Sequence, residues 1–364
     1  MAIQKIILAG GGTGGHIFPA VAIANAIKRM APTTEILFVG AKGKMEMEKV
    51  PQAGFEIKGL TIAGFNRSSL IKNVSLPFKL ALSFFQVAAI FRKFRPTAVI
   101  GVGGYSSFPV MRYAQAKGIP TFIHESNSFA GKSNIMLGKK ATMVFTGGRE
   151  MEKFFPADKI VVSGNPVRTS IVTNTIDQIT AKKYFGLDEN RAVILCVGGS
   201  LGAKNMNEAF YQNLEMIIKE NIQLVWQTGK LYKEKAMEMS KLYSGVYVTD
   251  FISNMEFAYN AADVVVSRSG AMAVAELCVA KKPVVFVPFP FAAEDHQTVN
   301  AQKLVDADAA IMIKDDKAVK ELIPRLIDLV NNKDKQNKLI TNISALAVAN
   351  ADEIIAEKIL AKLN

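Results

Sequence analysis

The feature that most constrains this chain is a cycle that recurs along it: a short run of β-branched and other apolar residues, a glycine-rich break, then a longer helical stretch. Strands that are apolar throughout, rather than at alternate positions, are covered on both faces. Right-handed crossover helices supply that cover in a parallel sheet. The first set of runs is Lys5–Ala9, Glu35–Val39, Ala98–Val102 and Thr121–His124. After Gly164-Asn165-Pro166 the cycle restarts with Ala192–Val197, Gln223–Gln227, Gly245–Val248, Asp263–Val266 and Pro283–Val287. The two sets open alike, Ile-Ile-Leu-Ala-Gly-Gly-Gly-Thr-Gly-Gly from Ile6 against Val-Ile-Leu-Cys-Val-Gly-Gly-Ser-Leu-Gly from Val193. Two doubly wound α/β domains are expected, which suits 364 residues at roughly 150 per domain. The linker should fall near residues 164–170. Ile355, Ile359 and Leu363 recur at a spacing of four, so the tail should be an amphipathic helix that crosses back to the first domain. The expected division is therefore 1–165 together with 341–364, and 166–340.

Lys and Arg total 44 against 32 Asp and Glu, a formal charge of +12 that favours an anionic partner: nucleic acid, anionic lipid or a phosphate-bearing substrate. Nucleic acid is the weakest of these, because the cations are dispersed and no RNP-type or zinc-finger spacing occurs. Cys196 and Cys278 each lie inside an apolar run, as buried thiols in a reducing compartment do. Lys5 and the run ending at Ala9 do not make a signal peptide. Phe78 to Phe91 is interrupted by Lys79, Ser83 and Gln86, well short of the about 20 apolar residues a span requires. Residues 72–95 nonetheless interleave Leu76, Phe78, Leu80, Leu82, Phe84, Phe85 and Phe91 with Lys72, Lys79, Arg92, Lys93 and Arg95. That pattern suits a helix lying in an anionic headgroup layer, and equally a sheet-covering helix with its aromatics in the core.

Gly10 to Gly15 follows a strand and opens a helix, where main-chain N–H groups face an anion. Gly10, Gly12 and Gly15 also satisfy G-x-G-x-x-G, which raises a dinucleotide site. Against it, the second strand ends Phe38-Val39-Gly40-Ala41-Lys42, without the acid expected on the ribose. A nucleoside-triphosphate P-loop fails, because His16 follows Gly15 and Ser126 stands where the leading glycine before Gly131-Lys132-Ser133 belongs. Gly101 to Ser107, Gly198 to Gly202 and Ser267 to Ala271 are further breaks at strand ends. They read either as tight turns or as cradles for two anionic ligands meeting in a cleft. His16, His124 and His296 are scattered and no Asp-x-Asp motif occurs near these loops, so no metal site is expected.

Gly11-Gly12-Thr13-Gly14-Gly15-His16, Gly103-Gly104-Tyr105, His124-Glu125-Ser126-Asn127, Gly164-Asn165-Pro166-Val167-Arg168, Gly198-Gly199-Ser200, Arg268-Ser269-Gly270-Ala271 and Glu276 resemble, in order, the MurG family of bacterial GT-B glycosyltransferases. The resemblance implies two Rossmann-like domains facing a central cleft. It implies inverting transfer of N-acetylglucosamine from UDP-N-acetylglucosamine to undecaprenyl-diphosphate-linked N-acetylmuramyl pentapeptide. That reaction belongs to peptidoglycan synthesis, on the cytoplasmic face of the membrane, with cell shape and division depending on it. By position, it implies uracil against the main chain near Phe251 and Ile252, and the ribose hydroxyls on Glu276. The diphosphate would lie over Ser200, Leu201 and the Ser269-Gly270-Ala271 turn, with Arg168 adding positive charge. Asn127, Gln297 and Asn300 would meet the sugar. His296-Gln297 stands where well-known members carry paired glutamines. Thr13 and Gly14 would serve donor and acceptor, Gly15 the donor, and His16, Gly103, Gly104, Tyr105 and Ser106 the acceptor. No cofactor is implied; magnesium and other cell-wall synthesis enzymes are left open as partners. For the base, His16 at a helix entrance and Glu125 at a strand end compete, His16 also suiting a phosphate. His124 reads as structural.

Overall fold

The computed structural model describes residues 3–64, 74–199 and 202–363. The chain forms two compact units, residues 1–168 with 350–364, and residues 169–349. In the first unit seven strands, β1 (Lys5–Ala9), β2 (Glu35–Ala41), β3 (Glu56–Leu60), β4 (Ala98–Gly101), β5 (Thr121–Glu125), β6 (Met143–Thr146) and β7 (Ile160–Val162), make one sheet in the order β3-β2-β1-β4-β5-β6-β7. Every pairing is parallel. Along β1, Ile6 and Leu8 enter a core with Ile23 and Ile27 of helix Gly14–Met30. Ile7 and Ala9 enter another with Val87 and Phe91 of helix Leu76–Phe94 and Val110 of helix Ser107–Ala116. Burial on both faces is why the run carries no polar residue after Lys5.

In the second unit β8 (Val193–Val197), β9 (Gln223–Gln227), β10 (Val246–Thr249), β11 (Val264–Ser267), β12 (Val284–Phe286) and β13 (Ile311–Met312) form a parallel sheet in the order β10-β9-β8-β11-β12-β13. Helices Lys204–Lys219 and Ala318–Asn331 cover one face with Phe210, Leu214, Leu322 and Leu326. Cys196 and Cys278 are buried free thiols, and burial pushes the Cys278 thiol up to about 12.

Two expectations need correction. The sequence reading missed β3, β6, β7 and β13, which are short or lie at sheet edges, where the apolar run is broken or brief. The division at 340/341 is also misplaced, because it cuts helix Lys333–Ala345, which lies wholly in the second unit. Leu339 joins that unit's core, and Gln336 Nε2 donates to the carbonyls of Leu329 and Val330 at the end of the preceding helix, 2.8 Å each. Only helix Ala351–Leu363 returns. Its Ile355 and Ile359 are fully buried in the first unit's core, Leu363 packs beside them, and Arg29 reaches Asp352 at 3.0 Å. The first linker boundary falls after Arg168, inside the expected stretch.

Candidate functional site

In the first unit the candidate residues gather at the carboxyl ends of β1, β4 and β5. Thr13 is the N-cap of helix Gly14–Met30, and its hydroxyl makes no capping bond. The N–H groups of Gly14 and Gly15 have no carbonyl one turn earlier to bond within the helix, the geometry that attracts an anion. The rest of the loop is occupied differently from the sequence reading. Gly10 N–H donates to Val39 O at 3.2 Å and Gly12 N–H to Glu46 Oε2 at 2.9 Å, so neither amide faces a ligand. A Cβ on Gly104 would overlap the Gly11 carbonyl, and one on Gly103 would lie 2.9 Å from His16 Nε2. These glycines let two loops interlock.

His16 is half-buried, with Nδ1 3.1 Å from Gly11 O and 3.4 Å from Thr13 Oγ1. A carbonyl oxygen only accepts, so Nδ1 carries the proton and Nε2 keeps its lone pair. Desolvation lowers the imidazole's pKa, opposed by the charge of Glu125, the Gly11 carbonyl and the charge of Glu46. Near neutral pH the ring is therefore uncharged, the form a base requires.

Glu125, the competing base, is buried at the end of β5. Its Oε1 accepts from Asn127 N at 3.1 Å and Asn127 Nδ2 at 3.2 Å; its Oε2 accepts from Gly131 N at 3.0 Å and Asn134 Nδ2 at 2.9 Å. Four donors fill the roughly four lone-pair positions of a carboxylate. Glu125 thus organises its loop. His124 is fully buried, and desolvation lowers its pKa to about 4, which fits the structural reading.

Tyr105 lies over Gly12 and Gly64, and burial followed by the charge of Glu46 raises its phenol pKa, so it stays a neutral hydrogen-bonding group. Ser106 is buried in the turn. The Arg168 guanidinium rides 3.7 Å above the Phe18 ring, one turn past Gly14.

In the second unit, Gly270 caps helix Ala271–Ala280, and the space where its Cβ would stand is open. Ser269 Oγ donates to Gln297 O at 2.8 Å, and Asn300 Nδ2 donates to Ser269 O at 3.1 Å. Gln297 Oε1 accepts from Phe289 N at 3.0 Å. Gln297 and Asn300 thus brace the Ser269-Gly270-Ala271 turn with part of their bonding capacity. Glu276 is buried, with Tyr259 Oη donating to its Oε2 at 3.2 Å. Ile252 N–H is committed to Gln227 Oε1 at 2.9 Å, so near Phe251 a base could reach the Ile252 carbonyl but not its amide. Ser200 and Leu201 lie outside the described residues.

Sequence reasoning missed Glu46, Gln227 and the partners of Arg268. Arg268 donates to the carbonyls of Val287 and Pro288 at 2.9 Å each and pairs with Asp315 at 2.6 Å, locking the turn before helix Ala271–Ala280. Only the apolar neighbours of Gln227, a polar residue ending a buried strand, hinted at such a role. Among the described residues no group of three His, Cys, Asp or Glu could hold a metal ion. No described helix is long and apolar enough to cross a membrane. Helix Leu76–Phe94 divides its aromatics: Phe91 is core, whereas Phe78 and Phe85 are 78% and 75% exposed, with Leu82 between them on the same stripe. Lys72 lies outside the described residues.

Comparison with known proteins also divides the chain in two, although the second match runs into the returning helix. The profile of the glycosyltransferase family 28 N-terminal domain matches residues 6–146, and that of the C-terminal domain residues 193–357. A UDP-N-acetylglucosamine--N-acetylmuramyl-(pentapeptide) pyrophosphoryl-undecaprenol N-acetylglucosamine transferase of Phocaeicola vulgatus is 47% identical over 98% of this chain and 95% of its own length. Its namesake from Flavobacterium psychrophilum is 45% identical over 99% and 98%. Among solved structures, MurG of Acinetobacter baumannii superposes with a TM-score of 0.73 at 27% identity, covering 98% of this chain and 99% of that one. A UDP-GlcNAc 2-epimerase from Neisseria meningitidis shares the fold, with a TM-score of 0.68 at 14% identity over 99% of this chain and 100% of the other.

Proposed function

The chain belongs to the MurG family, with glycosyltransferase family 28 domains in both halves, and from that premise we propose how its residues carry the family's reaction. The enzyme transfers N-acetylglucosamine from UDP-N-acetylglucosamine to N-acetylmuramyl-(pentapeptide) pyrophosphoryl-undecaprenol, a step of peptidoglycan synthesis. An α-linked donor gives a β-linked product, so the acceptor hydroxyl attacks opposite the departing diphosphate and one base suffices. The observation that carries the assignment is the His16 ring, uncharged, with its Nδ1 proton given to Gly11 O and Nε2 left to accept. As Nε2 takes the hydroxyl proton, positive charge grows at the anomeric carbon and negative charge on UDP.

The turn Ser269-Gly270-Ala271, opening a helix and braced by Gln297 and Asn300, supports a role as diphosphate cradle. Preorganised amides of this kind stabilise a leaving group without reorganising. Arg168, held on Phe18, is the cation assigned to the departing diphosphate; no cofactor is assigned, and magnesium is left open. Glu276 receives the ribose hydroxyls, the main chain at Phe251 and Ile252 the uracil, and Asn127, Gln297 and Asn300 the sugar. Thr13, Gly14, Tyr105 and the loop of Gly103, Gly104 and Ser106 meet the acceptor, and Gly15 the donor. The exposed Phe78 and Phe85 stripe supports peripheral docking on the anionic cytoplasmic face of the membrane, where the polyprenyl acceptor resides and other cell-wall enzymes work.

The test is UDP release from UDP-N-acetylglucosamine with and without the lipid-linked acceptor, in wild type, His16→Ala and Glu125→Gln. Release should require acceptor. His16→Ala should lose on the order of 10²–10⁴ in kcat, the usual worth of a general base, with donor affinity unchanged. A folded Glu125→Gln enzyme that loses as much while His16→Ala keeps turnover within a few-fold would move the base to Glu125.

A further inference from the structure

We propose that Glu46 is a positioning residue for this reaction, acting on His16 through the single peptide group that joins Gly11 to Gly12. The carbonyl of that peptide accepts from His16 Nδ1 at 3.1 Å, and its N–H donates to Glu46 Oε2 at 2.9 Å. Carboxylate, peptide and imidazole thus stand in line, each bonded to the next.

The arrangement is built rather than incidental. Glu46, at the start of helix Glu46–Gln52, is buried, and its other oxygen accepts from Ala41 N at 2.9 Å. A Cβ on Gly11 would overlap the carboxylate and one on Gly40 the Glu46 Cγ, so both glycines make room for this side chain. Gly11 and Gly12 have φ of +148° and +91°, backbone that only glycine adopts readily, and that conformation turns the peptide with its oxygen toward His16 and its N–H toward Glu46. This deepens the assignment of His16 as base and rests on it.

A hydrogen bond to a carboxylate polarises the amide, and its carbonyl becomes the stronger acceptor. That favours the Nδ1–H tautomer and stabilises the imidazolium formed when Nε2 takes the acceptor's proton. Glu46 itself exchanges no proton. The other ionisable groups that act on His16 electrostatically are Glu125 and its neighbour His124 on β5. They are the same in wild type and variant, so a change at Glu46 reports on Glu46.

The experiment follows the imidazole resonances of His16 and the amide of Gly12 by NMR in the full chain as pH is varied, beside kcat against pH. In Glu46→Gln the His16 titration should move down, because a negative charge that favoured the imidazolium is gone. The acid limb of kcat should move down with it. Glu46→Asp, which keeps the charge, should restore most of the titration and of the acid limb of kcat with it. A uniform fall in kcat in Glu46→Gln, with the His16 titration unmoved, would overturn the proposal and leave Glu46 a loop support. Should Glu46→Gln not fold, the wild-type spectrum decides: the Gly12 amide must shift as His16 titrates, and an amide blind to His16 refutes the relay. A His16 titration that responds to Glu46 while kcat does not would retain the relay and discard His16 as base.

Discussion

His124 shows how one residue's burial becomes a property of the whole first unit. Its pKa lies at about 4, against 6.5 when unburied, because desolvation disfavours the imidazolium more than Asn165 and Gly164 favour it. The unfolded chain therefore binds a proton between these values that the folded chain refuses. The stability this contributes is complete above about pH 6.5 and is lost as pH falls toward 4, by on the order of 3 kcal/mol in all. His16 acts in the same direction, so the comparison that isolates His124 is wild type against His124→Gln. Between pH 7 and pH 5 the urea midpoint should fall further in wild type, and parallel falls would show that His124 is not held neutral. At this scale legibility follows chain position. Glu125 ends a strand, Gly103 follows one and His16 opens a helix, so all three could be singled out from the sequence. Glu46 could not, because its partners are main-chain groups of Ala41 and Gly12, which meet it only in space. Glu125 was legible as a polar residue ending a strand but not as a loop organiser, since two of its four donors come from Gly131 and Asn134.

Among the elements, helix Leu76–Phe94 combines two roles that its sequence left as alternatives. Val87 and Phe91 enter the core, whereas Phe78, Leu82 and Phe85 form an exposed stripe at helical spacing on the part of the helix away from them. Exchange of Phe78 and Phe85 for Ser removes no core contact, so thermal stability should hold within about 0.5 kcal/mol, as for other surface changes. Sedimentation with anionic vesicles should fall by at least tenfold, and that of wild type should weaken with salt. Unaltered sedimentation by the double variant would assign membrane contact elsewhere. The central strands were legible for the reason this helix was not: their apolar runs have one explanation, burial on both faces, whereas an apolar helix has two. β3 escaped notice because Glu56 and Lys58 alternate with Ile57 at a sheet edge, and β13 because two residues carry no period.

At the scale of the whole molecule, the last helix decides how the chain is divided. The tail leaves the second unit after Ala349 and completes the core of the first, where Ile355, Ala356 and Ile359 pack among Ile23, Ile27 and Phe38. Its spacing of four announced a buried face. The place where the second unit ends was not legible, because helix Lys333–Ala345 is as amphipathic as its successor and only packing tells them apart. A core that is closed by the chain's final residues ties the stability of the His16 loop to a segment remote in sequence. Ile359→Ala should destabilise the first unit by about 2–5 kcal/mol, the usual range for a buried isoleucine. UDP-N-acetylglucosamine affinity, assigned to the second unit, should change little at a temperature where both units are folded. Hydrogen exchange resolves the two units: amides of β1, β4 and helix Gly14–Met30 should exchange faster in the variant, and those of β8 and β11 at the wild-type rate. Equal acceleration in β8 and β11 would mean that the units unfold as one, and that the tail stabilises the entire chain rather than the half it packs against.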